Sequence, residues 1–198
     1  MSKYAIGKES EDADLPNKLG LTNSNDINQE EFVGFTIAEQ LAIDALNDET
    51  LFTLDYLYML HASALGHLYD FAGKLRTVNM SKDEFAFPAA QFLPETMAEF
   101  EVTFLQKIND VRVHDEEELL NKLAEMHAEL LYIHPFREGN GRIARLLTRL
   151  IYLAKTGKFL KFEKINEGTN FVRYVAGIQQ AAANDYSIMR GLFAELET

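Results

Sequence analysis

From Glu30 onward, Phe32, Phe35, Ala38, Leu41, Ala42 and Ala45 recur at helical spacing, which predicts a helix running to about Asn47. Thr53 is placed to cap a second helix carrying Leu54, Leu57, Leu60, Leu65 and Leu68, ending before Gly73. Residues 74–92 hold Thr77, Val78, Phe85, Phe87 and Phe92, broken by Asp83, Glu84 and Pro88, a pattern suited to a short β-hairpin. Pro94 opens a helix reaching about Ile108. Asp115 with Glu118 resembles a capping box ahead of Leu119, Leu120, Leu123 and Met126. Further helices are predicted over Arg142–Lys155, stopping at Gly157, and at about Thr169–Ala183 and Tyr186–Leu196. The expectation is an all-α domain with one hairpin, residues 29–198. Before it comes a polar, acidic arm, residues 1–28, that touches the domain at a few apolar points such as Leu15, Leu19 and Leu21.

Composition narrows the chemistry. The chain has 198 residues and no cysteine, which removes disulfides, thiolate nucleophiles and zinc–thiolate sites together. No apolar run approaches the length a membrane span needs, and the start lacks an apolar signal core, so the expected setting is cytoplasmic. A net charge of −12 argues against nucleic acid as a partner. That charge is unevenly spread. Residues 1–50 carry eleven acidic side chains against three lysines, whereas residues 134–165 carry eight basic against two acidic. A local cationic block in an acidic protein suits a compact anionic ligand, although a solvated helix face would read the same way.

The segment His134-Pro135-Phe136-Arg137-Glu138-Gly139-Asn140-Gly141-Arg142-Ile143-Ala144-Arg145 decides between those readings. Pro135 disfavours helical geometry at His134, so the preceding helix should end near Ile133. Gly139 and Gly141 are expected to enter positive φ and let backbone amides converge into an anion nest. Asn140 suits the start of the next helix, whose first N–H groups and positive dipole end would face the same loop. Arg142 and Arg145 then stand where the dipole repels cations, which makes sense beside a multiply charged anion. Glu138 is the loop's one carboxylate, suited to Mg²⁺ beside a polyphosphate. His134 is its one group able to exchange a proton near neutral pH. Singly, each has an ordinary structural explanation; at this spacing, together, they describe chemistry at phosphorus.

These residues resemble the signature of Fic-domain proteins, H-x-F-x-(D/E)-G-N-G-R-x-x-R, at every specified position. The resemblance extends to Leu15-Pro16-Asn17-Lys18-Leu19-Gly20, to His61 through Arg76, and to Phe171-Val172-Arg173-Tyr174 onward. It implies a helical bundle with a β-hairpin flap beside the active site, and AMP transfer from Mg·ATP to a hydroxyl side chain of a target protein. By resemblance, His134 would be the general base, Phe136 the loop's anchor in the core and Glu138 the Mg²⁺ ligand. Gly139, Asn140 and Gly141 would cradle phosphates, Arg142 and Arg145 would contact the outer phosphates, and Tyr174 would border the adenine. Residues 81–92 would be the flap, with Lys82 and Phe85 pinning an extended target segment by edge-strand pairing. Phe71 stands where Trp is common, and Asp83-Glu84 replaces small flap residues. Gly141 resembles the AMP-transferring pattern rather than relatives with Lys there. Transfer of another group (phosphate, UMP or phosphocholine) and a silent binding module are the alternatives.

Many relatives carry an inhibitory helix with (S/T)-x-x-x-E-(G/N). No Ser or Thr here has Glu four residues later, so the resemblance implies a separate small inhibitory partner or none. His61, His67 and His127 are expected to be structural, and Arg149 to pair with a carboxylate.

Overall fold

The computed structural model describes residues 15–82, 85–111 and 116–197. Helix α1 spans Ser24–Ala45 and α2 spans Leu54–Leu65. A minimal hairpin follows, β1 (Ser81–Lys82) against β2 (Phe85–Ala86), antiparallel with Lys82 opposite Phe85. Helix α3 (Leu93–Phe100) passes through a π-helical turn (Glu101–Leu105) into α4 (Gln106–Asp110). Helix α5 (Glu116–Ile133) leads into α6 (Asn140–Thr156), and α7 (Asn170–Gln180) and α8 (Ser187–Glu197) complete the chain. The predicted all-α bundle with one short hairpin is the observed architecture.

Some boundaries differ from those read in the sequence. Helix α1 starts at Ser24, inside the stretch assigned to the arm, because the Asn23 side chain accepts from the Asn25 N–H and caps it. Helix α2 ends at Leu65; residues 66–73 are turns that carry the chain toward the flap. The capping box expected at Asp115 lies outside the described residues. What remains of the arm is tied down: Lys18 donates from its N–H to Leu68 O (2.9 Å) and from its ammonium to Gly66 O (2.7 Å).

Helices α5 and α6 are the spine. Leu119, Leu123, Ala124, Met126, Ala128, Leu130 and Ile133 of α5 are buried with Ile143, Ala144, Leu147, Leu150 and Ile151 of α6. Burying the Leu, Ile and Met side chains among these contributes about 1.5–3 kcal/mol each. Helix α8 packs on α5 and α7, and α1 packs on α2. At Gly34 the α1 and α2 backbones nearly touch: an added Cβ would sit 2.0 Å from Ala64 O. That close crossing brings the inner face of α1 to the start of α6.

Candidate active site

Six residues, His134 to Gly139, turn the chain from α5 into α6. Helix α5 ends at Ile133, as Pro135 requires, and His134 is thrown into the left-handed region at φ 53°. Asn140, Phe136 and His61 help to hold the bend. Asn140 turns its side chain back on the loop, accepting from the Phe136 N–H (2.9 Å) and donating to Phe136 O (2.8 Å). Phe136 is fully buried and stacks on His61, ring centroids 3.9 Å apart and 8° from parallel. His61 accepts from the Gly73 N–H at Nδ1 (2.8 Å), so its Nε2–H donates to Glu138 O (3.0 Å). Burial keeps His61 neutral, its pKa lowered to about 4. His61 is therefore structural, as expected, and what it structures is this loop.

The His134 imidazole is 6% exposed. Its Nδ1 faces Leu131 O at 3.2 Å; a carbonyl can only accept, so Nδ1 carries the hydrogen and Nε2 the basic lone pair. Burial is the main cause that pulls its pKa down to about 4, with Arg76 and Lys82 adding to it and the Leu131 hydrogen bond opposing. Phe87, just past the hairpin, stacks on the ring at 3.9 Å and 17°. A neutral imidazole with a fixed tautomer suits a proton acceptor.

Only part of the expected nest has the expected geometry. Gly139 has φ 78° and precedes the first helical residue; a Cβ there would also meet Leu65 Cδ1 at 3.0 Å. Gly141 does not use positive φ, being a helical residue of the first turn of α6. An added Cβ there would meet nothing closer than Arg145 Nη1 at 3.5 Å, ordinary van der Waals contact, so the fold itself has room for a side chain at this position. The Gly139 N–H is committed to Glu138 Oε1 (2.8 Å), and the α6 ladder begins with Ile143 N–H to Gly139 O. The first-turn amides of Asn140, Gly141 and Arg142 thus have no intrahelical acceptor. His134, Glu138, Gly139 and Asn140 are covered, while Gly141, Arg142 and Arg145 reach the surface.

The two arginines do not act as the matched pair the spacing suggested. Arg142 Nη2 donates to Glu31 Oε2 (2.6 Å) and Glu138 Oε1 (3.2 Å), and its guanidinium lies 4.9 Å from the Phe35 ring centroid. Glu31, 1% exposed on α1, also accepts from the Tyr69 hydroxyl (2.7 Å). So the chain itself supplies a counter-charge for Arg142. Arg145 bends over Gly141 and reaches the Tyr174 hydroxyl. Burial pushes that hydroxyl's pKa up to about 12, against the pull of Arg145.

Tyr174 itself is 5% exposed and belongs to the interior beneath Arg145. Its O–H donates to His127 Nε2 (2.7 Å), His127 Nδ1–H donates to Thr148 Oγ1 (2.9 Å), and Thr148 donates to Ala144 O (2.8 Å). This ordered chain accounts for His127, which burial holds at a pKa of about 3. In the flap, exposed Lys82 sits opposite Phe85, whose ring packs edge-on to Phe87 (5.6 Å) and Tyr132 (6.1 Å). Arg149 pairs with Glu39 at 2.7 Å.

For a divalent ion, the loop offers Glu138. Among the described residues no group of three His, Cys, Asp or Glu could form a protein-only site. A single loop carboxylate beside the first-turn amides of α6 fits Mg²⁺, which commonly takes one or two carboxylates and completes its shell with phosphate and water.

Two residues missed in the sequence are part of this assembly. Glu31 was detectable, because it shares a helix face with Ile27, Phe35 and Ala38, all buried. Arg76 left no comparable signal.

Residues 51–152 match the model of the Fic/DOC family. The chain is 33% identical over 105 residues to protein adenylyltransferase Fic of Nematostella vectensis, covering 51% of this chain and 23% of that protein. It is 35% identical over 94 residues to protein adenylyltransferase VbhT of Bartonella schoenbuchensis, covering 48% and 20%. The chain thus spans under a quarter of the length of these curated relatives. The BepC protein of Bartonella tribocorum, crystallised with AMPPNP, superposes with a TM-score of 0.73 at 20% identity, over 92% of this chain and 91% of that one.

Proposed function

This chain belongs to the Fic/DOC family, and we propose that it is a protein adenylyltransferase, moving AMP from ATP to a Tyr, Thr or Ser hydroxyl of a target protein. The observation that carries this reading is His134: a neutral imidazole, its Nδ1–H held by Leu131 O, on the loop that opens α6. Two relatives named protein adenylyltransferase support the transferred group.

In this reading Nε2 of His134 takes the hydroxyl proton as the oxygen bonds to the α-phosphorus. The bond from that phosphorus to the bridging oxygen breaks, and pyrophosphate leaves. The amides of Asn140, Gly141 and Arg142 and the guanidinium of Arg145 hold phosphate oxygens, acting where negative charge accumulates. Glu138 would hold Mg²⁺, which when bound neutralises the leaving pyrophosphate. Arg142, clasped by Glu31 and Glu138, mainly fixes the helix start, with phosphate contact secondary. Lys82 and Phe85 would pin the target along the hairpin. The same reading has the reaction run in the cytoplasm, where ATP is plentiful.

With isotopically labelled ATP and Mg²⁺, label from the α-phosphate should enter a protein, with the added mass of AMP, and His134→Ala should abolish it. Transfer that persists in His134→Ala removes the histidine from its role. An added mass of phosphate would replace the transferred group, as would an added mass of UMP or phosphocholine when a donor of that group is supplied in place of ATP. Failure to bind Mg·ATP by calorimetry would leave only a binding module.

A further inference from the structure

Arg76 follows α2 by eleven residues and is 4% exposed. Its guanidinium meets four backbone carbonyls. Nε–H donates to His134 O (2.8 Å), Nη1 to Val78 O (2.7 Å), and Nη2 to Pro88 O (2.6 Å) and Ile133 O (3.4 Å). Its backbone N–H adds a fifth bond, to Pro135 O (2.8 Å). Val78 and Pro88 are the two legs of the hairpin, which extends through Phe87 N–H to Met80 O (3.1 Å). Ile133, His134 and Pro135 are the end of α5 and the strained bend after it.

A buried cation answered by carbonyls is costly, and burial lowers the pKa of Arg76 accordingly. A neutral side chain could not reach four acceptors in one plane, whereas a guanidinium carries five donors in a rigid fork. His134 meanwhile holds φ 53° immediately before a proline, a conformation that persists only where the surroundings over-determine it.

We infer that Arg76 is a positioning residue for the transfer: one guanidinium fixes the His134 backbone and both legs of the flap, so that base and target-docking strand are set as a single unit. The claim rests on the proposed role of His134 and adds a coupling that this role does not require. Among the described residues, the groups facing the imidazole include Arg76 behind its backbone, Lys82 from the hairpin, Phe87 across its face and Leu131 O from α5.

The test is NMR on the full chain, comparing Arg76→Met and Arg76→Lys with the parent. Two quantities are read: the titration of each histidine ring, and hydrogen exchange at the Phe87 amide. Arg76→Met should move His134 titration upward, on the order of one pH unit, and speed Phe87 exchange at least tenfold, leaving His61 and His127 unmoved. Arg76→Lys keeps the charge but has three donors for four carbonyls, so it should leave the titration near the parent while still speeding exchange. A folded Arg76→Met with parental His134 titration and parental exchange overturns the inference. If Arg76→Met does not fold, Arg76→Lys decides, and parental exchange there overturns it equally. A parent chain that shows no AMP transfer, yet whose His134 moves in Arg76→Met, sinks the proposed activity and keeps the coupling.

Discussion

Glu31 and Arg142, 111 positions apart, meet at 2.6 Å, and this contact joins α1 to the start of α6. Glu31 is almost wholly buried while the Arg142 side chain keeps 26% exposure, so the two partners are unequal. Removing the arginine leaves a buried carboxylate with the Tyr69 hydroxyl and less charge compensation. Removing the carboxylate leaves a cation that still reaches water and Glu138. Both changes should destabilise. Arg142→Met should cost about 2–4 kcal/mol in denaturant unfolding, and Glu31→Gln, which keeps an acceptor for Tyr69, about 1–2 kcal/mol. Equal losses in the two variants would contradict the asymmetry.

Three buried histidines predict how stability depends on acidity. His61 and His134 titrate at about 4 in the fold and His127 at about 3, against an ordinary 6.5. Between these values the unfolded chain takes up protons that the folded chain refuses. The three rings therefore leave stability unchanged above about pH 6.5 and lower it as pH drops from 6.5 toward 4, by up to about 1.4 kcal/mol per unit for each ring. Urea unfolding at pH 7, 6 and 5 checks this, and a midpoint that holds steady to pH 5 would refute it. By the same cause, AMP transfer should show no loss from protonation of His134 near pH 6.5.

How much of this was legible beforehand follows from the range of each interaction. The bend at His134-Pro135 and the stop at Gly157 are local backbone effects, so the sequence carries them directly. The start of α1 was misjudged because Asn23 caps it from within a polar stretch that lacks apolar periodicity. Arg142 and Arg145 looked equivalent at a spacing of three. What separates them is Glu31, more than a hundred residues upstream, and Tyr174, from a helix that packs against α5 and α8. Arg76 was hidden for a further reason: its partners are all backbone carbonyls, which no side-chain pattern encodes.

The Tyr174–His127–Thr148 chain ends on the carbonyl before Arg145, so it should act on nucleotide binding from the interior. Tyr174→Phe removes the oxygen that Arg145 reaches and the hydrogen that His127 accepts. Leaving His127 Nε2 without its donor should cost about 1–3 kcal/mol of stability. Calorimetry should find Mg·ATP affinity reduced roughly 3- to 10-fold, equivalent to about 0.7–1.4 kcal/mol. A stability loss with unchanged affinity would confine Tyr174 to packing.

The two loop glycines should respond oppositely to the same methyl group. Gly139→Ala must hold φ 78° and press on Leu65 Cδ1 at 3.0 Å and Phe35 Cζ at 3.3 Å, which should cost about 1–3 kcal/mol. Gly141→Ala sits at an ordinary helical φ, with its nearest neighbour an arginine nitrogen at 3.5 Å. There the change should be neutral or should stabilise by up to about 1 kcal/mol through helix propensity. Activity should separate from stability at this second position, because the methyl would project where the proposed phosphates lie, and label transfer from ATP should fall at least tenfold in a fully folded protein. Thermal unfolding beside the transfer assay distinguishes the outcomes: a Gly141→Ala protein that is as stable and as active as its parent shows that the space above the first turn of α6 is not where the nucleotide binds.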